Sequence, residues 1–320
     1  MTNEPTLHQG LSLQRLEILI LRKHLLILAA LTFNTFPLAA TGDDLKPGEY
    51  FIAQSWSQEK DFERSYHVSV PKLSDKRKFP VFIFLHGNGG NAKGAMNGFL
   101  RRHPRMAARY VMVFPDGYLK SWNIVSERSQ ADDRGFIEAI VQKLAAYDNV
   151  QNDNFTIMGS SNGAALVNQL AIECRLPHVR NYVTGVSPLN VFQHDGRNFK
   201  ARGEGNNYQA VATPMTGKRL MNISGTNDRL IPYSGGPSPV IPAKGGKLAF
   251  VGAEQSTFLW ARAMGYKGDK LTRPSHTIGR LSVFSYLGGD VVHYKVSGEG
   301  HGATRAIDET TLLQFLENEE

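Results

Sequence analysis

FTIMGSSNGAALVNQLA, residues 155–171, is the stretch whose reading decides the fold. The β-prone apolar run Phe155–Met158 meets Gly159-Ser160-Ser161-Asn162-Gly163, and an apolar, helix-like segment follows. A nucleophile at a sharp strand-to-helix turn holds a strained backbone, and the residues two before and two after it must be small. Centring that pattern on Ser161 puts Gly159 and Gly163 at those positions. Centring it on Ser160 puts Met158 and Asn162 there, and the turn would clash. Ser161 is therefore the candidate nucleophile. The bland alternative is a Gly/Ser-rich turn with no chemistry.

A serine hydroxyl is a weak nucleophile unless a base takes its proton, and the base needs an orienting group. Where a strand–serine–helix turn carries chemistry, an acid and then a histidine are expected downstream, each on a loop after a strand. The downstream histidines are His178, His194, His276, His293 and His301. His293 alternates within a strand and reads as structural, whereas His178, His194 and His276 stand too early or in the wrong loop. His301 follows the last strand, framed by Gly298, Gly300 and Gly302, and is the candidate base. For the acid, NISGTNDRLIPYSGG (222–236) ends a strand at Gly225 and places Asp228 just beyond it. Asp290 reads as a hairpin-turn residue and Asp195 precedes the strand that should carry the acid. A tetrahedral oxyanion needs backbone donors. The N–H of Asn162 supplies one, and the loop LHGNGGNAKG (85–94) the other, with Asn88 the first choice and Gly89 the second. That loop lacks the Gly-Lys-Ser/Thr ending of a phosphate-binding loop.

Outward from this centre, strand and helix signals alternate. Strands are expected at 65–70, 79–87, 109–117, 155–159, 182–187, 219–225, 281–287 and 291–298. Helices are expected from Asp132-Asp133, over Gly163–Cys174, over Leu248–Met264 and over Ala303–Leu316. Such alternation implies a mainly parallel central sheet with helices on both faces, an α/β fold, in one domain over 41–320. Two stretches, 192–214 and 233–246, read as long loops near the carboxyl ends of the strands, where ligands bind in such sheets.

The formal charge of +7 is carried by scattered Lys and Arg, with no basic stripe interleaved with aromatics, so a nucleic-acid partner is not expected. One cysteine, Cys174, excludes an intrachain disulfide and a Cys-rich metal site, and it reads as a buried inert thiol. Arg22-Lys23-His24 precedes LLILAALTFNTFPLAA (25–40), a basic patch, a short apolar core and a small-residue exit. Residues 1–40 thus read as a secretory signal with an over-long start, and a secreted or periplasmic protein without a stable membrane anchor is expected.

LHGNGGNAKG, FPDGYLKSWN, DDRGFIEAIV, MGSSNG, SGTNDRLIPYSGG and GEGHG stand in the order seen in the polyhydroxybutyrate depolymerase and feruloyl esterase family of α/β-hydrolases. From about Ser65 to the C-terminus the chain resembles that family. The resemblance implies an α/β-hydrolase fold and a secreted serine esterase with Ser161, Asp228 and His301 as triad. It also implies that Ser121-Trp122-Asn123 lines the site and that Trp122 contacts substrate, although a core tryptophan reads nearly as well. Asn88 stands where the family commonly has Cys. No appended polymer-binding domain is expected after His301, which favours short esters and oligomers over solid polymer.

The expected activity is hydrolysis of carboxylic esters through an acyl-enzyme, on hydroxyalkanoate oligomers, feruloyl esters or related short acyl esters, without metal or cofactor. The alternatives are a peptidase or acyltransferase on the same triad, or an inactive secreted polymer- or carbohydrate-binding protein.

Overall fold

The buried strands send alternate side chains into two different apolar cores, and that alternation sets up three layers. In Phe79–Leu85 (β3), Val81, Ile83 and Leu85 enter one core and Phe82 the other. Val111–Pro115 (β4) repeats the pattern, with Val111 and Val113 on the first side and Met112 and Phe114 on the second. A strand buried on both faces reads as a continuous apolar run because both of its faces are roofed by helices. These observations come from a computed structural model, which describes residues 42–72 and 78–317. All of them fall in one compact unit. The proposed export segment lies outside the described residues.

The chain opens with Gly48–Trp56 (β1) and Glu59–Ser69 (β2). After β3 come the helices Ala92–Arg102 (α1) and Pro104–Ala107 (α2), then β4 and Asp133–Ala145 (α3). Val150–Ser160 (β5) leads into Asn162–Glu173 (α4), followed by Val179–Gly185 (β6) and Arg219–Gly225 (β7). A hairpin, Gly236–Ala243 (β8) and Gly246–Phe250 (β9), precedes Ala253–Ala263 (α5). The chain ends with His276–Ile278 (β10), Leu281–Tyr286 (β11), Val291–Val296 (β12) and Glu309–Glu317 (α6).

The main sheet has the order β1-β2-β4-β3-β5-β6-β7-β12-β11-β10. Its six central strands, β4 to β12, pair in parallel. The outer strands pair antiparallel at both ends. Helices α3, α4 and α5 cover one face, through residues such as Phe136, Leu170 and Trp260. Helices α1 and α6 cover the other, through Phe99, Leu312 and Phe315. No helix among the described residues is long and apolar enough to cross a membrane.

Three expectations from the sequence need correction. The single helix expected over Leu248–Met264 is strand β9 followed by α5. Leu248 and Phe250 are buried while Ala249 between them is not, a period of two. Gly252 then turns the chain where a Cβ would lie 2.9 Å from the Ser234 carbonyl oxygen. The stretch 233–246 is largely strand β8, paired with β9 as a separate two-stranded sheet. The last helix is a short 3-10 turn, Ala303–Ala306, then α6, whose start is capped by Asp308 accepting the Thr311 N–H at 2.8 Å. Four elements had no clear signal: β1, α2, β10, and α1, which begins inside the glycine-rich loop with Asn91 capping Gly94 N–H at 2.8 Å.

Candidate active site

Ser161 occupies the corner between β5 and α4 with φ 55° and ψ −121°, a positive φ that costs a non-glycine residue energy. The surrounding structure enforces it. A Cβ on Gly159 would lie 2.3 Å from the Gly163 carbonyl carbon, and one on Gly163 would lie 2.3 Å from the Leu85 carbonyl oxygen. The small residues flanking the corner are therefore a steric requirement of strand and helix in contact. The Ser161 N–H donates to the Gly185 carbonyl at 2.8 Å, which anchors the corner to the neighbouring strand.

Ser161 Oγ lies 2.8 Å from His301 Nε2. His301 Nδ1 lies 2.8 Å from Asp228 Oδ2. The two loops that carry the acid and the histidine approach across Gly225, where a Cβ would sit 2.4 Å from the Glu299 carbonyl oxygen. Asn227 N–H donates to that same carbonyl at 2.8 Å. The other oxygen of Asp228 accepts the N–H groups of Leu230 and Ile231 at 2.8 and 3.0 Å. Burial alone would raise the Asp228 carboxyl, but the His301 hydrogen bond and these two amides outweigh it and hold the group below the usual carboxylate range. A carboxylate held ionised against Nδ1 fixes the tautomer that leaves Nε2 free to accept the Ser161 proton.

On the other side of the serine, Gly87–Gly90 forms a tight turn in which Gly90 N–H donates to the Gly87 carbonyl at 3.0 Å and Gly89 has φ +80°. The Gly89 N–H is spent on the Lys120 carbonyl at 2.8 Å. No acceptor is found for the Asn88 N–H among the described residues, and Asn88 lines the same cleft as Ser161. The Asn162 N–H stands in the first turn of α4, where no intrahelical acceptor exists and the helix dipole favours negative charge.

Trp122 departs from its expected role. It is fully buried and does not line the cleft, so the assignment to substrate contact is corrected. Its indole N–H donates to the His86 carbonyl at 2.8 Å and its ring packs on the His86 imidazole at 5.0 Å. His86 Nε2 in turn accepts the Gly117 N–H at 3.1 Å and its Nδ1–H reaches the Gly87 carbonyl at 2.8 Å. Burial, the larger influence, lowers the His86 pKa and favours this neutral form. Trp122 and His86 thus brace the Gly87–Gly90 turn from behind.

Two residues that the sequence did not single out hold the opposite wall. Glu127 Oε2 accepts the N–H groups of Ile124, Val125 and Ser126 at 2.9, 2.7 and 3.0 Å. Asp133, buried at the start of α3, accepts the Asn123 N–H at 2.6 Å and pairs with buried Arg64 at 2.6 Å. Glu127 carries no such message in sequence because three of its partners are backbone amides, and Asp133 carries none because Arg64 stands 69 residues away. The stretch 192–214 supports this wall from outside: Tyr208 donates its hydroxyl to the Ile124 carbonyl at 2.6 Å and Asn206 bonds Asn123 Oδ1 at 2.8 Å. It does not line the cleft. The hairpin β8–β9 does, through Val240, Ile241, Leu248 and Phe250. The cleft, about 860 Å3, has an apolar wall formed with Leu230 and Ile231, while Lys120, Glu127 and Arg128 line it elsewhere.

No family model and no curated protein sequence matches the chain. Among solved structures, it is similar to an acetyl xylan esterase from Aspergillus awamori, at 11% identity and a TM-score of 0.54, over 84% of this chain and 99% of that one. Esterase 2 from Thermogutta terrifontis, phosphorylated by paraoxon, is similar at 14% identity and a TM-score of 0.49, over 85% of this chain and 92% of that one. At such identities a likeness speaks for architecture alone. With the mostly parallel sheet, its two helical faces and the serine at the β5–α4 corner, the first of these likenesses makes the chain an α/β-hydrolase in fold.

Proposed function

We propose that the chain is a serine carboxylic ester hydrolase acting through an acyl-enzyme. The observation that carries this reading is the pair of 2.8 Å contacts, Ser161 Oγ to His301 Nε2 and His301 Nδ1 to Asp228 Oδ2, with Ser161 and His301 lining a cleft. In the first half-reaction Ser161 Oγ attacks the ester carbonyl carbon while His301 Nε2 takes its proton. The oxyanion is held by the N–H groups of Asn162 and Asn88, donors of a kind worth about 100- to 1000-fold in rate each. His301 then gives the proton to the leaving alkoxide as the carbon–oxygen bond breaks. Water, deprotonated by His301, cleaves the acyl-serine and restores the enzyme.

The apolar wall of the cleft, with Val240, Ile241, Leu248 and Phe250, favours a hydrocarbon acyl group, which agrees with short acyl, hydroxyalkanoate or feruloyl esters. Acetylated xylan joins these as a substrate to test, given the named neighbour. The basic and apolar pattern of residues 22–40 supports export to the periplasm or medium. N-terminal sequencing of the mature protein tests that part.

The catalytic assignment is tested with p-nitrophenyl butyrate and a fluorophosphonate probe. The wild-type protein should turn over the first and be labelled by the second, and Ser161→Ala should do neither while melting at the same temperature. Undiminished hydrolysis by Ser161→Ala would sink the assignment.

A further inference from the structure

Three large aliphatic side chains stand in solvent around the opening of the cleft. Leu119, Leu230 and Val240 line it while 53%, 39% and 54% exposed. Single exposed aliphatics are ordinary, but several around one opening mark a surface that meets something apolar. Leu119 is held there against its backbone preference. It and Lys120 have φ of 53° and 60°, left-handed values that are unfavourable for residues with a Cβ. The Gly89 N–H to Lys120 carbonyl bond at 2.8 Å and the Lys120 N–H to Gly117 carbonyl bond at 3.0 Å fix that turn.

Each of these aliphatics has a cation beside it. Lys120 follows Leu119, Arg229 precedes Leu230, and Lys247 Nζ donates to the Val240 carbonyl at 3.3 Å. The segments 119–130 and 228–250, which supply most of the lining, contain five cations, the other two being Arg128 and Lys244. All five are exposed, and none enters an ion pair among the described residues. The same segments hold two acids, Glu127 and Asp228, and both are spent. Glu127 accepts three backbone amides and the Asn162 side chain, and Asp228 holds His301 and two amides. An aliphatic group with a free cation beside it suits a boundary where acyl chains lie just beneath anionic headgroups. Burial draws in the first and the surface potential draws in the second.

We propose that the mouth of the cleft docks on an anionic lipid surface, with Leu119, Leu230 and Val240 entering the acyl layer and Lys120, Arg229 and Lys247 meeting the headgroup phosphates. The substrates are then acyl esters held in that layer, which reach Ser161 without crossing water. The substrate class rests on the esterase reading given above; the docking does not.

Sedimentation measures binding of the mature protein to vesicles of phosphatidylcholine alone and of phosphatidylcholine with an equal share of phosphatidylglycerol. Affinity should be at least about tenfold higher for the mixed vesicles at low salt, since one basic residue at such a surface is worth about fivefold, and it should fall as salt rises. Lys244→Glu with Lys247→Glu should cut it by at least about tenfold. Lys267→Glu with Lys270→Glu, the same change of charge on exposed residues that do not line the cleft, should cut it less than about threefold. Equal losses overturn the proposal, because net charge alone then explains the binding. Cys174 is buried, so a dye on Val240→Cys reports the rim alone. Its emission should shift to the blue on mixed vesicles, and that of a dye on Ile278→Cys, 45% exposed in β10, should not. No preference for the mixed vesicles, or binding without the shift at residue 240, overturns the proposal. The lipid and salt arms need no variant to fold. Turnover of p-nitrophenyl butyrate separates the two readings: an active enzyme that does not bind the vesicles loses the docking surface alone, and an inactive protein that binds them loses the esterase reading alone.

Discussion

The side chain of Asn162 grips both ends of one peptide residue: its Oδ1 accepts the Trp122 N–H at 2.7 Å and its Nδ2 donates to the Trp122 carbonyl at 3.0 Å. The same amide reaches Glu127 Oε1 at 3.2 Å. The residue after the candidate nucleophile therefore does two jobs, one with its backbone and one with its side chain. Asn162→Ala keeps the backbone donor and removes the grip, leaving buried peptide groups unpaired at about 1–3 kcal/mol each. The expected result is a melting temperature lowered by several degrees and a kcat for p-nitrophenyl butyrate reduced about 10- to 100-fold, checked by thermal melts and steady-state kinetics. An unchanged kcat would show that the wall holds without Asn162.

Gly225 sets the approach of the acid loop to the histidine loop. In Gly225→Ala the new methyl group would overlap the Glu299 and Gly300 carbonyl oxygens, at 2.4 and 2.5 Å. Overpacking of this kind costs about 1–3 kcal/mol. The strain falls on the segment that presents His301, so activity should drop more than stability does. Kinetics beside urea denaturation measures the two separately.

His293 gives the stability a pH dependence far from the serine. It is wholly buried in β12, its ring nitrogens 2.8 Å from the Tyr233 hydroxyl and 2.8 Å from Asn222 Oδ1. Burial dominates and lowers its pKa from 6.5 to about 3, with Glu254 opposing and Lys295 assisting. An unfolded chain therefore binds a proton that the fold refuses between those two values. The stabilisation is complete above about pH 6.5 and is lost as pH falls toward 3. The loss is on the order of 5 kcal/mol at about 1.4 kcal/mol per unit. Urea unfolding between pH 7 and 4 should show this slope (about 2.5 units of titration, below 6.5), and His293→Gln should flatten it.

Asp133 is expected to be the most costly of the site's supports to remove. It is fully buried, pairs with Arg64 and holds the Asn123 N–H, while Arg64 also lies 3.9 Å above the Phe136 ring. Removing one partner of a buried pair costs about 3–5 kcal/mol because the other charge is stranded. Asp133→Ala should lose that much in urea, and Arg64→Met combined with Asp133→Leu should recover a good part of it.

The serine corner was legible in sequence because it is governed by a local rule: strand, glycine, serine, glycine and helix constrain each other within a few residues. Asp228 and His301 followed from chain order and from the glycines beside them, and the structure brings both to Ser161. Strand β7 was legible for a related reason, being an apolar run that ends at Gly225. Trp122 was not, since its burial depends on His86, 36 residues away, and a tryptophan in a polar loop carries no sign of that. Leu248–Met264 misled because helix and strand spacings overlap there until Gly252 is seen to turn against Ser234. Strand β1 hid because it pairs only with β2 at the sheet edge and buries one face halfway. Glu127 hid because an acid bound mainly to backbone amides leaves no matching residue to find, and Asp133 hid because its partner Arg64 stands 69 residues earlier.

The hairpin β8–β9 stands apart from the main sheet, yet it supplies much of the apolar wall facing Ser161. It is tied on by Val191 N–H to the Ala249 carbonyl at 3.0 Å, Val251 N–H to the Leu189 carbonyl at 2.8 Å and the Ser126 hydroxyl to the Pro242 carbonyl at 2.8 Å. None of those ties involves the serine, the acid or the histidine. Residue identity at Val240 and Ile241 is thus free to drift without disturbing proton transfer, so chain-length preference can diverge between descendants of this sequence while their chemistry stays the same.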